Sequence, residues 1–109
     1  MTLREQQSFF ARLVGYLIAE AYARGYELTL GDAYRDKRCP YGAKRSNHRR
    51  RLAIDLNLFI NGDYQRTTEA HRPLGEWWED LHPGCRWGGR FNDGNHYEFV
   101  ENWRNENGD

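Results

Sequence analysis

The sequence predicts an α+β domain in which an N-terminal amphipathic helix packs on a small, mostly antiparallel sheet. Two patterns support this prediction: apolar residues recur at helical spacing near the start of the chain, and they alternate along a later stretch. A chain of 109 residues has room for one compact domain. We therefore expect a single, monomeric domain over residues 1–109.

The first element is a helix from Leu3 to Arg24. Thr2 and Glu5 have the spacing of a capping box, and Gly25 stands where a helix-ending glycine is expected. The apolar residues of this segment lie on one helical face: Phe9, Phe10, Leu13, Val14, Leu17, Ile18, Ala21 and Tyr22. We expect this face to belong to the core.

Strands are predicted after this helix. The segment "YELTLGDAYR", Tyr26 to Arg35, is predicted to be a short strand that leaves the core near Gly31, and a basic loop follows over residues 36–47. In "RLAIDLNLFI", leucine and isoleucine occupy every second position from Leu52 to Ile60, which is the period of a half-buried strand. The dipeptide Asn61-Gly62 predicts a tight hairpin turn into a returning strand over residues 63–65.

The second half of the chain predicts a helix, a loop and a strand. Thr67 or Thr68 caps a helix through "EAHRPLGEWWEDL", which Pro73 is expected to break or kink. The glycine-rich "HPGCRWGGRFNDGN" is predicted to be a loop, with Trp87 near the cleft, and "HYEFV" is the final strand. The two histidines flanking the tryptophan pair, His71 and His82, are expected to be surface or capping residues.

Charge does not favour a polyanionic partner, because 16 basic residues balance 16 acidic ones. Basic residues are nevertheless concentrated between Arg35 and Arg51, where only Asp36 is acidic. We interpret Arg49–Arg51 as a positive rim.

The two cysteines and the N-terminal segment limit the protein class further. Cys39 and Cys85 lack C-x-x-C spacing, so no cysteine zinc cluster is expected, and both thiols are predicted to be reduced. Charged residues interrupt the first segment, which excludes a secretory signal and a membrane span: Arg4, Glu5, Arg12, Glu20 and Arg24. The expectation is a protein made in the cytoplasm without a signal peptide or a membrane anchor.

His48 and Asp55 are candidate metal ligands. Their separation of seven is odd, so on one straight strand they would face opposite sides. We therefore expect His48 in a bend before the strand and Asp55 within it. An aspartate in mid-strand is unfavourable by propensity, and a metal would explain it.

The stretch "DGNHYE" holds the remaining candidates. His96 and Glu98 share a strand face, and Asp93 lies three residues before His96 in a glycine turn. A carboxylate near a metal histidine can act as the base in metal-assisted hydrolysis. Glu98 is expected to be either a partner of a metal histidine or a plain surface residue.

Ser46 precedes His48 by two positions and Arg35 closes "AYR", so the chain contains S-x-H-x6-D followed later by D-x-x-H. This pattern resembles the zinc peptidases that cleave bacterial cell-wall peptides, whose fold is related to the hedgehog signalling domain. They include D-alanyl-D-alanine carboxypeptidases and dipeptidases and phage L-alanyl-D-glutamate endopeptidases. The resemblance spans Tyr34 to Phe99 and implies a hedgehog/DD-peptidase-like fold. "CRWGGRF" ahead of "DGNHYEF" is similar to the phage branch.

The resemblance implies that His48, Asp55 and His96 hold Zn²⁺ and that Asp93 is the catalytic base. It implies that Arg35 polarises the scissile carbonyl or steadies the oxyanion, and that Ser46 hydrogen-bonds the substrate. Many relatives carry glutamate at the base position, and the aspartate favours the phage branch.

The implied function is a zinc-dependent peptidoglycan endopeptidase that cleaves the stem peptide at the L-alanyl-D-glutamate bond. Such a phage-type lysin, or endolysin, would reach the cell wall after release by a holin-like partner.

Other functions stay open at this point. A D-alanyl-D-alanine carboxypeptidase or dipeptidase would use the same residues. A nucleic-acid-binding or nuclease module would use Lys44–Arg51, but the basic stretch offers only Tyr41 for stacking and the net charge is zero, so no nucleic-acid partner is expected. A zinc-binding domain without activity is the third alternative, against which Asp93 argues.

Overall fold

The computed structural model describes residues 1–36, 38 and 47–101. Two α-helices and five strands are found there, together with two 3₁₀ turns at Asn47–Arg50 and Gly88–Phe91. In chain order the helices and strands are α1 (Leu3–Ala23), β1 (Tyr26–Leu30), β2 (Ala53–Ile60), β3 (Asp63–Tyr64), α2 (Thr68–Leu81), β4 (Cys85–Trp87) and β5 (His96–Phe99).

The sheet has the strand order β1-β2-β5-β4, and β3 pairs with the end of β2. Every strand pairing in the described chain is antiparallel. The predicted α+β class, with an N-terminal helix packed on a small antiparallel sheet, is confirmed. The central strand β2 lies between β1 and β5, so strand pairing on both edges holds the backbone that carries its side chains.

The helix α1 forms as the sequence predicts and ends one residue earlier. Both bonds of the capping box are present: the Glu5 backbone N–H donates to Thr2 Oγ1 at 3.1 Å, and the Thr2 backbone N–H donates to Glu5 Oε1 at 2.9 Å. Gly25 follows with φ of 81°, a conformation that favours glycine. The predicted apolar face is buried apart from Phe9 and Ile18, which are half-buried, and Tyr22, which is exposed.

The alternation along β2 is confirmed by burial. Leu56 and Leu58 are completely buried, while Asp55 and Asn57 are only half-buried on the other face. The hairpin after it is the turn that the sequence predicts, because Asn61 and Gly62 both have positive φ, at 54° and 81°.

The sequence predicts a break or a kink at Pro73; the break is wrong, because α2 continues from Thr68 to Leu81. Thr67 is the N-cap, and its hydroxyl accepts from the Ala70 backbone N–H at 3.2 Å. A proline costs the helix one backbone hydrogen bond. Leu74 and Trp78, which follow Pro73 in the helix, are completely buried, and their burial offsets this cost. Trp78 also donates its indole N–H to the Arg86 and Glu98 carbonyls at 3.0 and 3.2 Å, which ties α2 to β4 and β5.

The glycine-rich segment predicted to be a loop contains the strand β4 and a 3₁₀ turn. Cys85 pairs with Phe99 and Trp87 with Tyr97. The glycines allow close packing: a Cβ at Gly75 or Gly89 would lie 2.1 or 2.2 Å from the Trp87 indole. Composition indicated a loop here, but the glycines make room for one buried tryptophan.

The two histidines of this region have different positions. His82 caps a turn as expected, since its Nδ1 accepts from the Gly84 backbone N–H at 2.9 Å. For His71 the expectation of a surface or capping residue is wrong, because it is buried with Nδ1 3.2 Å from the Tyr97 hydroxyl. Burial lowers the pKa of His71 to about 4, so it is neutral at physiological pH.

Cys85 is buried in the core as a free thiol, and burial raises the pKa of this thiol to about 12. Cys39 lies outside the described residues. No helix in the described part of the chain has the length and apolar character that a bilayer span requires.

Candidate metal centre

His48 reaches the site from the 3₁₀ turn that precedes β2. Arg51 has a φ of 57°, which turns the chain out of the 3₁₀ segment, and the Leu52 backbone N–H donates to the Asn47 carbonyl at 2.9 Å. The placement predicted from the odd spacing is confirmed, with His48 in a bend and Asp55 within the strand.

Asp55 and His96 are brought together by strand pairing, because they are direct partners in the β2–β5 ladder. Asp55 Oδ1 lies 3.2 Å from His48 Nε2 and 3.5 Å from His96 Nδ1. Each of the three residues offers one ligand atom, and these atoms all lie within 4.8 Å of one another. The three side chains that the sequence singled out thus form one compact cluster.

The electrostatics of this cluster favour a charged carboxylate. Burial raises the pKa of Asp55, but close contacts with His48 and His96 outweigh it and hold the pKa at about 2. For His96 burial lowers the pKa, yet the contacts with Asp55 and Glu98 raise it to about 9. Without a metal, a proton on His96 therefore supplies a positive charge that partly balances the Asp55 carboxylate, as a bound cation would.

The residues present fit a divalent metal. Asp55 Oδ1 is buried and makes no hydrogen bond with any described residue, although two imidazole nitrogens lie near it. A buried oxygen left without a hydrogen bond needs an explanation, and a bound cation would supply one. Two histidines and one carboxylate are also the protein ligands that catalytic zinc sites use.

Asp93 lies beside the cluster and is open to solvent, with a side chain that is 52% exposed. Its Oδ2 is 3.9 Å from His96 Nδ1, the same nitrogen that faces Asp55. The turn holding Asp93 is fixed by its backbone, since its N–H donates to the Gly88 carbonyl at 2.9 Å and its carbonyl accepts from the His96 N–H at 3.1 Å. A carboxylate in this place can exchange protons with solvent or with a bound substrate.

Trp87 holds this turn through a hydrogen bond from its indole ring. The indole is buried and donates to the Gly94 carbonyl at 2.7 Å, so Trp87 lies next to the turn of Asp93 with its ring in the core. The large ring packs against Gly75 and Gly89, where a smaller side chain would leave a cavity.

Glu98 contacts His96 on the side away from Asp55. Glu98 Oε1 lies 2.5 Å from His96 Nε2, and Oε2 accepts from Asn47 Nδ2 at 2.9 Å. The first of the two roles expected for Glu98, as a partner of a histidine in the cluster, is therefore the one that the geometry matches. No pattern in the sequence predicted that Asn47 would contact Glu98.

The backbone of Arg35 contacts the cluster: its N–H donates to the His48 carbonyl at 3.3 Å. The guanidinium Nη2 is 3.2 Å from Asp32 Oδ2 and the side chain is nearly buried. Asp32 was missed by sequence reasoning, yet its carbonyl accepts from the Asp55 N–H at 2.9 Å. The predicted substrate-contacting Ser46 lies outside the described residues.

The predicted positive rim is exposed where it is described. Arg50 and Arg51 are both exposed, and the Arg51 guanidinium lies over the Tyr34 ring, 4.3 Å from its centroid. The side chain of Arg49 lies outside the described set.

An α+β domain with a His-Asp-His cluster beside an exposed carboxylate has the features of a metal-dependent hydrolase. A family model described as D-alanyl-D-alanine carboxypeptidase matches residues 41–99, more than half of the 109-residue chain. The chain belongs to this peptidase family, whose members are peptidoglycan-related metallopeptidases. The matched range includes His48, Asp55, Asp93 and His96, but not Arg35. A search of curated proteins found no match.

In the metal-free protein we expect the free energy of unfolding to fall as the pH rises from about 6.5 to about 9. Folding raises the pKa of His96 from 6.5 to about 9, so its stabilising contribution is complete below pH 6.5 and is lost by about pH 9. Urea unfolding with a chelator at several pH values in this window measures the slope.

The variant His96→Gln is the control for this slope, because the pKa of the Met1 amino group is also raised, by Glu101. His96→Gln should reduce the pH dependence and leave the contributions of the amino terminus and, close to pH 9, of the buried Cys85 thiol, whose pKa is raised from 9.0. Metal-free protein of constant stability between pH 6.5 and pH 9 would contradict the prediction. Asp55 does not contribute to the pH dependence of the free energy of unfolding between pH 6.5 and pH 9, because its pKa of about 2 lies far below this range.

Proposed function

We propose that the protein is a zinc-dependent peptidoglycan endopeptidase that cleaves the stem peptide at the L-alanyl-D-glutamate bond, as a phage-type lysin does. The observation that carries the proposal is the His48–Asp55–His96 cluster with the exposed Asp93 carboxylate 3.9 Å from His96. Residues 1–109 would act as one monomeric catalytic domain.

His48, Asp55 and His96 would hold the zinc in this proposal. Zinc, when bound, supplies a Lewis acid that polarises a carbonyl and lowers the pKa of a water molecule towards neutrality. Three protein ligands leave a position open for water or substrate, which distinguishes a catalytic zinc site from a structural one.

Asp93 is proposed as the general base and acid. Its carboxylate would accept a proton from the attacking water and return it to the leaving amine. The exposure of Asp93 and its fixed turn suit this role, because the side chain is reachable by substrate while its backbone is held by Gly88 and His96.

Arg35 is proposed to stabilise the negative charge that develops on the carbonyl oxygen, and Ser46 to hydrogen-bond the substrate. The contact with Asp32 would hold the guanidinium in place before substrate binds. The exposed Arg50 and Arg51 would attract the carboxylates of stem peptides at longer range.

A D-alanyl-D-alanine carboxypeptidase is the second candidate, and the description of the matching family model favours it. It would use the same metal cluster and the same base. The aspartate at position 93, in place of the glutamate of many relatives, is our reason for preferring the endopeptidase.

Mass spectrometry of purified peptidoglycan after digestion separates the two candidates. The endopeptidase should expose a new amino terminus on D-glutamate, whereas the carboxypeptidase should release free D-alanine and shorten the stem from its carboxyl end. Protein treated with a chelator is the control and should cleave neither bond. A zinc-loaded protein that leaves peptidoglycan intact and binds DNA in a salt-dependent manner would reject both candidates.

A further inference from the structure

One carboxylate links the two histidines of the metal cluster. Glu98 lies on β5 two residues after His96, and its Oε1 contacts His96 Nε2 at 2.5 Å. Its other oxygen accepts from Asn47 Nδ2 at 2.9 Å, and Asn47 directly precedes His48. Glu98 therefore contacts one histidine directly and holds the turn that carries the other.

Glu98 lies among hydrogen-bond donors and beside a positive charge, although its side chain is only 16% exposed. Its two oxygens face His96 Nε2 and Asn47 Nδ2, and Arg86 is its direct β4 partner. A carboxylate in these surroundings acts as an acceptor, so it takes an N–H from each of the two nitrogens.

The 3₁₀ turn that carries His48 is not a strand of the sheet, and backbone hydrogen bonds from Leu52 and Arg35 hold part of it. The Asn47–Glu98 hydrogen bond adds a side-chain link from this turn to β5, across 51 residues of sequence. His96, by contrast, is fixed by strand pairing but could present either ring nitrogen.

We propose that Asn47 and Glu98 form a positioning pair for the metal site, which holds His96 with Nε2 protonated and Nδ1 directed at Asp55, and which holds the His48 turn against β5. A neutral imidazole has one N–H, so when Glu98 takes the Nε2–H, the lone pair remains on Nδ1. The inference rests on the proposed metal site and does not depend on which peptide bond is cut.

Zinc affinity measured by chelator competition tests the pair. Glu98→Ala should weaken zinc binding by about 10–100-fold, the usual effect of removing such a partner of a metal histidine. Asn47→Ala should weaken it by up to about 10-fold, since Glu98 remains. Asn47→Asp should be worse than Asn47→Ala, because it places a second carboxylate against Glu98.

The double variant separates a coupled pair from two independent residues. If Asn47 acts through Glu98, zinc affinity of Asn47→Ala/Glu98→Ala should be no lower than that of Glu98→Ala alone. Glu27→Ala, at an exposed position on β1, is the matched control and should leave the affinity unchanged. Effects that add in full would overturn the coupling.

Nitrogen NMR of the histidine rings gives a readout that a merely structural role would not change. In the zinc-loaded protein, His96 should show a protonated Nε2 and a metal-bound Nδ1, and Glu98→Gln, which keeps the shape and one acceptor, should retain this form with weaker zinc binding. Metal on Nε2, or unchanged zinc affinity in folded Glu98→Gln and Asn47→Ala, would overturn the proposal. These two variants carry the test if Glu98→Ala does not fold.

The outcomes also distinguish this inference from the proposed function. A wild-type protein that binds zinc but cleaves no peptidoglycan contradicts the function and leaves the positioning pair open to the same measurements. A wild-type protein that binds no zinc in the chelator titration contradicts the metal site, and with it the positioning pair.

Discussion

Asp93→Asn should leave zinc bound while peptide hydrolysis falls by about 10²–10⁴-fold, the usual contribution of a general base. The amide keeps the size of the carboxylate but cannot accept the proton. The side chain is not one of the three ligand donors, and its backbone bonds to Gly88 and His96 do not involve the carboxylate. Zinc content and digestion of purified peptidoglycan, measured on the same preparation, check the result.

Asp80→Asn is the matched control, because Asp80 is an exposed aspartate on α2, outside the cluster. It should leave both zinc content and hydrolysis unchanged. If Asp93 only stabilises its turn, Asp93→Asn should lose little stability, since asparagine also suits turns, and should keep its activity. A zinc-loaded, active Asp93→Asn protein would remove Asp93 from the mechanism.

Asp55→Asn should weaken zinc binding by more than about 100-fold, a larger effect than the loss of a partner outside the ligand set. The carboxylate lies between the two imidazoles, within 3.5 Å of a nitrogen from each, and its charge is the one that a dication would meet in the cluster. Hydrolysis should fall in parallel at limiting zinc. Chelator competition and metal analysis measure the change.

The metal-free form of Asp55→Asn provides a second measurement. Removing this carboxylate should lower the pKa of His96 and so reduce the pH dependence of unfolding described above. Asp63→Asn, at an exposed hairpin position, should change neither property. An Asp55→Asn protein that binds zinc as tightly as the wild type would exclude Asp55 from the ligand set.

The sequence alone determined the parts of the fold that depend on local patterns. The capping box of α1, the alternation along β2 and the Asn61-Gly62 turn each follow from residues within a few positions of one another. The sequence also indicated which residues could meet in a metal cluster. The odd spacing of His48 and Asp55 was enough to place one in a bend and the other in a strand.

Only the tertiary structure decided the features that depend on distant partners. The strand β4 exists because Cys85 and Trp87 pair with β5, and α2 continues through Pro73 because Leu74 and Trp78 are buried. Composition and propensity describe a segment without its neighbours, so they indicated a loop and a broken helix. The burial of His71 against Tyr97 escaped prediction for the same reason.

The candidate site shows the same division between local and distant information. Residue types and spacing suggested His48, Asp55, Asp93 and His96, but the ladder register sets Asp55 opposite His96. The bonds from Asn47 to Glu98 and from Asp55 to Asp32 join segments far apart in sequence. A single sequence holds no signal for such pairs, because each becomes a neighbour of the other only when burial of the core fixes the order of the strands.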